Sequence, residues 1–303
     1  MKTILADRLK KGDVIGMVAP CYAITKDAVA QARTTLENLG FQVKTGRHIF
    51  STAYGYAGSI EERVSDFNDM IADRDVRMIL FGGGEVGNEL LPYIDYAALG
   101  HSSKLLCSYS DGTTLLNAVY ARTGLVTYYG ISPRTFFDLT DYNRSSFIDR
   151  LMEGKTAFHH AETVSCVYPG VAEGILLGGY LPNLALMLGS AYFSLEPSQS
   201  YILFWEDNEC FNDPAVLAKY LAHLEQHGVF RQVSGMMVGH YAAQPSPDLD
   251  VLLARVAQRH GIPLLKTEDF GHGKHHAVVP IGVRARLDAS AGTLSLLTPA
   301  VSL

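Results

Sequence analysis

Long apolar runs are missing from this sequence. No stretch reaches the roughly 18 residues that a helix needs to cross a bilayer, so no membrane partner is expected. The first residues, Met1 to Lys11, have neither the apolar core nor the small-residue cleavage site of a secretory signal, and a cytoplasmic location is expected. Cysteine is scarce, with four in 303 residues at Cys21, Cys107, Cys166 and Cys210, and no C-x-x-C pair occurs. That spacing gives no disulfide framework and predicts free, buried thiols. Basic charge is in deficit too: 25 Lys and Arg against 31 Asp and Glu leave a net charge of −6, which gives a nucleic-acid partner no electrostatic support. No internal repeat or low-complexity segment is present.

What remains is an ordinary globular composition on a chain long enough for two domains. Val14 to Ala19 reads as a buried strand stopped by Pro20. Thr25 caps a helix with Ala28, Val29, Ala32, Leu36 and Leu39 on one face, ended by Gly40. Phe41 to Val43 is a short strand, and Ser59 with Glu62 forms a capping box ahead of a second helix. Met78 to Phe81, Leu105 to Cys107 and Leu125 to Tyr129 are further strands. Strands alternating with helices predict an α/β class with a parallel sheet, whose ligands bind beyond the carboxyl ends of the strands.

The pattern changes after Gly154. We read residues 1–154 as an N-terminal parallel-sheet α/β domain, 155–172 as a linker, and 173–303 as a C-terminal α+β domain. In the second half, Tyr201 to Glu206 is a buried strand ending in a carboxylate. Asp213-Pro214 starts a helix that Gly228 ends. A strand at 233–238, a helix at 249–260 and strands at 278–283 and 293–297 follow.

The chemistry centres on Leu105-Leu106-Cys107-Ser108-Tyr109-Ser110-Asp111-Gly112, a strand, a sharp turn and then helical spacing from Leu115. Ser110 sits in the turn, where helix N–H groups point towards it and can stabilise an oxyanion. Cys107 precedes the turn and reads as core. A serine nucleophile needs a base, usually a histidine oriented by a carboxylate. His272, flanked by Gly271 and Gly273, and Glu206, at the end of its strand, supply both in the order serine, acid, histidine. From spacing alone, a capping serine, a surface glutamate and a loop histidine are the alternatives.

Ser108-Tyr109-Ser110-Asp111-Gly112 departs from the G-x-S-x-G elbow at its first position. Gly82-x-Gly84-x-x-Gly87 matches a dinucleotide fingerprint, but the next strand ends in Cys107 and Ser108 where a ribose-binding acid is needed. The glycines read instead as exposed N–H donors near Ser110. His272, His275 and His276 are interrupted by Lys274 and lack completing ligands, so no metal site is expected. His159 and His160 read as exposed linker residues. Trp205, the one tryptophan, is core or a platform in the cleft.

Taken together these motifs resemble the LD-carboxypeptidase family of serine peptidases, which includes murein tetrapeptide carboxypeptidases and microcin C self-immunity peptidases. The likeness runs from Gly12-Asp13-Val14 through Gly83-Gly84, Tyr109-Ser110-Asp111, Gly178-Gly179, Trp205-Glu206-Asp207 and Gly271-His272 to Pro280-Ile281-Gly282. It implies Ser110 as nucleophile, His272 as general base and acid, Glu206 as orienting carboxylate, and the amides of Asp111 and Gly84 as oxyanion hole. Gly83, Glu85 and Trp205 are further candidates for substrate contact. It also implies an active site between the N-terminal and C-terminal domains, and a homodimer acting on a small peptide or muropeptide, with no metal or cofactor.

The chain departs from the family pattern at Ser108, where glycine is usual, at Phe81-Gly82 and Glu85, where murein-type members carry arginine and tyrosine, and at Ile131, where proline is common. The run from Leu116 to Gly124 looks closer to the microcin-immunity branch. Two other classes stay open: a catalytically silent binding protein, suggested by Ser108 and Glu85, and a nicotinamide enzyme, suggested by the glycine spacing alone.

Overall fold

The apolar runs of the first half become adjacent strands in the computed structural model, which describes residues 2–207, 213–240 and 246–303. These are β1 (Val14–Val18), β2 (Gln42–Thr45), β3 (Val76–Phe81), β4 (Leu105–Ser108) and β5 (Thr127–Tyr129). All pair in parallel, in the order β5-β4-β3-β1-β2. β4 is buried at every position, which is why it reads as an unbroken apolar run. The crossovers carry α1 (Lys26–Asn38), α2 (Ile60–Ala72), the short α3 (Tyr96–Leu99) and α4 (Gly112–Thr123). The caps are those the sequence predicts. Thr25 accepts from the Ala28 amide at 3.2 Å, and Ser59 with Glu62 closes a reciprocal box.

α5 (Asp141–Phe147) leads out of the first lobe. The second sheet is built from β6 (Ser165–Tyr168), β7 (Val171–Tyr180), β8 (Tyr201–Glu206), β9 (Val233–Val238) and β10 (Leu264–Lys266). Its parallel centre, β7-β8-β9-β10, is flanked by antiparallel partners. α6 (Leu181–Met187), α7 (Pro214–Gln226) and α8 (Pro247–His260) pack beside it.

Three strands close the chain: β11 (Val279–Ile281), β12 (Arg284–Asp288) and β13 (Thr293–Leu296). β12 and β13 join the second sheet, but β11 crosses back and pairs antiparallel with β5 in the first. One strand from residues 173–303 thus completes the sheet formed by residues 1–154. A three-residue apolar strand carries no mark of which sheet it will complete. The expected linker also contains structure, since β6 is an edge strand of the second sheet. None of its four residues is buried and they do not alternate, so it does not stand out in sequence.

Among the described residues no helix is long and apolar enough to cross a membrane. Cys21 and Cys107 are buried and free, as expected, whereas Cys166 is free but exposed, on the edge strand β6. Cys210 lies outside the described residues.

Candidate active site

β4 ends at Ser108 and α4 begins at Gly112, leaving a turn too tight for an ordinary backbone. Ser110 absorbs it with φ 57°, a left-handed conformation that a non-glycine residue holds at a cost of about 1–3 kcal/mol. Local bonds impose the strain: Gly112 donates to the Tyr109 carbonyl at 3.1 Å and Thr113 to the Ser110 carbonyl at 2.9 Å. The Ser110 amide donates to Tyr129 Oη at 3.0 Å. Ser108 fits because position 112 has no side chain, since a Cβ there would lie 2.1 Å from Ser108 Oγ. That hydroxyl instead donates to the Phe81 carbonyl at 2.8 Å.

From this turn a hydrogen-bonded chain runs into the second lobe. Ser110 Oγ lies 3.0 Å from His272 Nε2, and His272 Nδ1 lies 2.8 Å from Glu206 Oε2. The His272 amide also donates to Glu206 Oε2, at 3.1 Å, and the Tyr129 hydroxyl donates to Glu206 Oε1. Glu206 is fully buried, so those donors replace the water its carboxylate has lost. Gly271, at φ 112°, lets the histidine loop approach: a Cβ there would fall 2.8 Å from Glu206. Burial pulls the His272 imidazole down, but the hydrogen bond and charge of Glu206, with Asp207 behind, hold its pKa above the ordinary 6.5. The same burial and the same carboxylate push the Tyr129 phenol well up, so it stays a donor.

The glycine loop after β3 closes the other side. A Cβ on Gly83 would lie 2.6 Å from Ser110 Cβ and 3.1 Å from its Oγ, and one on Gly84 would strike Tyr22 and the Cys21 carbonyl. Backbone alone passes here. The amides of Gly83, Gly84 and Asp111 have no backbone acceptor among the described residues. The Asp111 carboxylate pins the arrangement, accepting from the Gly87 amide at 2.7 Å and from Asn183 Nδ2 of α6. Gly87 opens a 3-10 helix rather than an α-helix, and its N–H is taken. The glycine spacing therefore builds a loop against Ser110, not the helix N-terminus that a pyrophosphate requires.

A cleft of about 330 Å³ opens over these groups, walled by Tyr22, Gly82 to Glu85, Tyr109, Arg134 and Tyr180. Gly83 and Glu85 line it. Trp205 does not: it is 1% exposed in the centre of the second sheet, because β8 is buried on both faces. The other histidines are engaged separately. His275 Nε2 meets Glu162 at 3.1 Å, and His276 Nδ1 meets Thr135 Oγ1 at 2.8 Å. His160 is no free linker residue, since its Nδ1 lies 2.5 Å from Asp269 and its Nε2 2.8 Å from the Gly292 carbonyl. Sequence reasoning missed Tyr129 and Asn183 as parts of the site. Tyr129 sits inside an apolar strand, and nothing in the pattern marks its hydroxyl as the link between turn and carboxylate.

A model of the LD-carboxypeptidase N-terminal domain matches residues 15–130, and one of the C-terminal domain matches residues 173–287. The putative carboxypeptidase YocD of Bacillus subtilis is 31% identical over 95% of this chain and 97% of its own length. A probable murein peptide carboxypeptidase of the same organism is 30% identical over 94% and 92%. Among solved structures, MccF in complex with glutamyl sulfamoyl guanosine aligns with a TM-score of 0.89 at 26% identity, covering 98% of this chain and 99% of that one.

Proposed function

Because the chain belongs to the LD-carboxypeptidase family, we propose that it is a serine peptidase that hydrolyses an amide bond near the carboxyl end of a muropeptide or related peptide conjugate. His272 Nε2 takes the Ser110 proton as Oγ attacks the carbonyl carbon. The amides of Asp111 and Gly84 receive the oxyanion. His272 then passes its proton to the departing amine, leaving an ester on Ser110. Water, deprotonated by the same imidazole, attacks that ester, and collapse of the second tetrahedral intermediate frees the acid and restores the serine. Glu206 holds the imidazole in the required tautomer and steadies its charge. A homodimer in the cytoplasm belongs to the same reading.

One observation carries this: a strained serine within hydrogen-bond reach of an imidazole that is itself bound to a buried carboxylate. Cleavage of muropeptides and of peptidyl-aminoacyl nucleotide analogues by wild type and Ser110→Ala tests it. Loss of the hydroxyl is expected to cost on the order of 10⁴ or more in turnover. Equal turnover by both proteins would reject the assignment, and failure of a fluorophosphonate to label Ser110 would favour a silent binding protein.

The nucleotide-conjugate reading has its own support. The glycine loop carries Phe81-Gly82 and Glu85 rather than the murein-type residues. The cleft also shares Glu85 and Tyr180 with an adjoining groove of about 490 Å³, large enough for more than one amino acid. The structurally similar MccF binds glutamyl sulfamoyl guanosine. Faster cleavage of the nucleotide analogues than of muropeptides is the outcome expected of this branch.

A further inference from the structure

We propose that Arg134 anchors a free carboxylate of the substrate and so makes the enzyme prefer a peptide ending in an acid to the same peptide ending in an amide. The proposal rests on the peptidase reading above. It starts from charge. The cleft has Glu206 buried beneath His272, Asp207 behind it and Glu85 in its wall, so an anionic chain end entering it meets negative charge. Arg134 is the permanently cationic side chain among the described residues lining this cleft. His276, close by, does not share the task, since burial holds its pKa below the ordinary value.

Arg134 has no ion pair and no side-chain hydrogen bond among the described residues. Elsewhere on the surface, Arg47, Arg77, Arg259 and Arg286 each face a carboxylate of this chain. A guanidinium presents a rigid fork that matches a carboxylate with two parallel bonds, so one left unpaired beside a nucleophile is set for a ligand.

The mounting is rigid although the side chain is exposed. Arg134 rides on the 3-10 turn Pro133–Phe136, whose Pro133 and Phe136 are buried. Thr135 Oγ1 of this turn lies 2.8 Å from His276 Nδ1, and His276 Nε2 lies 3.2 Å from the Gly273 carbonyl, one residue past His272. The His276 ring stacks on Tyr109, the neighbour of Ser110, with centroids 5.6 Å apart. The turn is thus tied both to the base and to the nucleophile. Burial and Glu206 push the Tyr109 phenol up, and the Arg134 charge opposes them, as expected of a cation in the same cleft.

The test compares one peptide as the free acid and as the C-terminal amide, with wild type, Arg134→Gln and Arg134→Lys. Wild type is expected to prefer the acid. In Arg134→Gln, KM for the acid is expected to rise roughly tenfold to a hundredfold, kcat to change less than KM, and the preference to collapse. Arg134→Lys keeps the charge but loses the fork and is expected to fall between. If Ser110 takes a fluorophosphonate and acids are cleaved, but Arg134→Gln keeps the full preference, the anchor is overturned and the peptidase reading stands. If wild type is neither labelled nor active on any peptide, both fall.

Discussion

His272 must be neutral before it can take a proton, and Glu206 works against that. The carboxylate holds the imidazole pKa above 6.5. The rising limb of kcat/KM against pH in the free enzyme is therefore expected above 6.5. Glu206→Gln removes the charge and puts an NH2 donor at one of two positions that now accept, and burial is left to pull the imidazole down. The limb is expected to move to lower pH while the plateau falls by about 10⁴, because the amide no longer fixes the tautomer or stabilises the imidazolium. A pH profile of both proteins checks this, and a limb that stays in place would show that Glu206 does not set it. The linked stability has a definite sign. A histidine raised in the folded state stabilises the fold below its unfolded pKa, and that contribution fades as pH rises through the folded value. At this scale the sequence is informative where chemistry demands an unusual context. Ser110 in a sharp turn, Glu206 closing an apolar strand and His272 between glycines all stand out. Tyr129 and Trp205 do not, because an aromatic in a buried strand looks the same whether its polar atom serves the site, as Tyr129 does, or, as with Trp205, it packs in the core.

The glycine loop makes its contribution as an element. Its backbone runs against Ser110 because positions 83 and 84 have no side chains, and the Asp111 carboxylate ties its far end to the Ser110 turn through Gly87. A methyl at position 83 would meet Ser110 Cβ at 2.6 Å, and neither partner is the far end of a flexible chain. Gly83→Ala is therefore expected to push the loop away from the hydroxyl. Turnover should fall about 10²–10³-fold, the usual consequence of displacing an oxyanion donor. Thermal stability should change little, since the loop is partly exposed and the shift is local. Steady-state kinetics with a melting curve separates the two, and near-normal kcat would mean that the loop supplies no donor. The helix caps and buried strands of the first lobe are legible because each rests on neighbours in sequence. β11 is expected as a strand at 278–283, but its sheet is not legible, and β6 is not legible at all, because the partners that place such short strands are distant along the chain.

For the whole molecule, the question is whether two lobes on one cleft behave as one body. β11 leaves the second half of the chain to pair with β5 in the first sheet. The Tyr128 hydroxyl donates to the Ala300 carbonyl at 2.7 Å, and Asp7 bridges to Ser302, so the chain's end is stitched to its start. Across the cleft, Asn117 of α4 donates to the Gly178 carbonyl of β7 at 2.8 Å, and Thr113 Oγ1 accepts from the Tyr180 amide at 2.8 Å. Gly179, at φ 134°, permits that approach, since a Cβ there would fall 2.3 Å from the Thr113 hydroxyl. Multidomain chains of this length often unfold in separate steps. Here the first sheet is incomplete without β11 from the second half of the chain, and side-chain bonds from α4 tie it to β7, so a single transition is expected. Trp205 makes this measurable, because the one tryptophan lies in β8 and its fluorescence reports the second sheet alone. Far-UV circular dichroism reports both lobes. The two signals should give the same midpoint in a denaturant titration, and the Ser110–His272–Glu206 hydrogen-bonded chain across the lobes should be lost at that midpoint too, read as Ser110 labelling. A fluorescence midpoint well separated from the dichroism would mean that the second sheet melts by itself, and that β11 and the Asn117 contact do not hold the serine and the histidine in one frame.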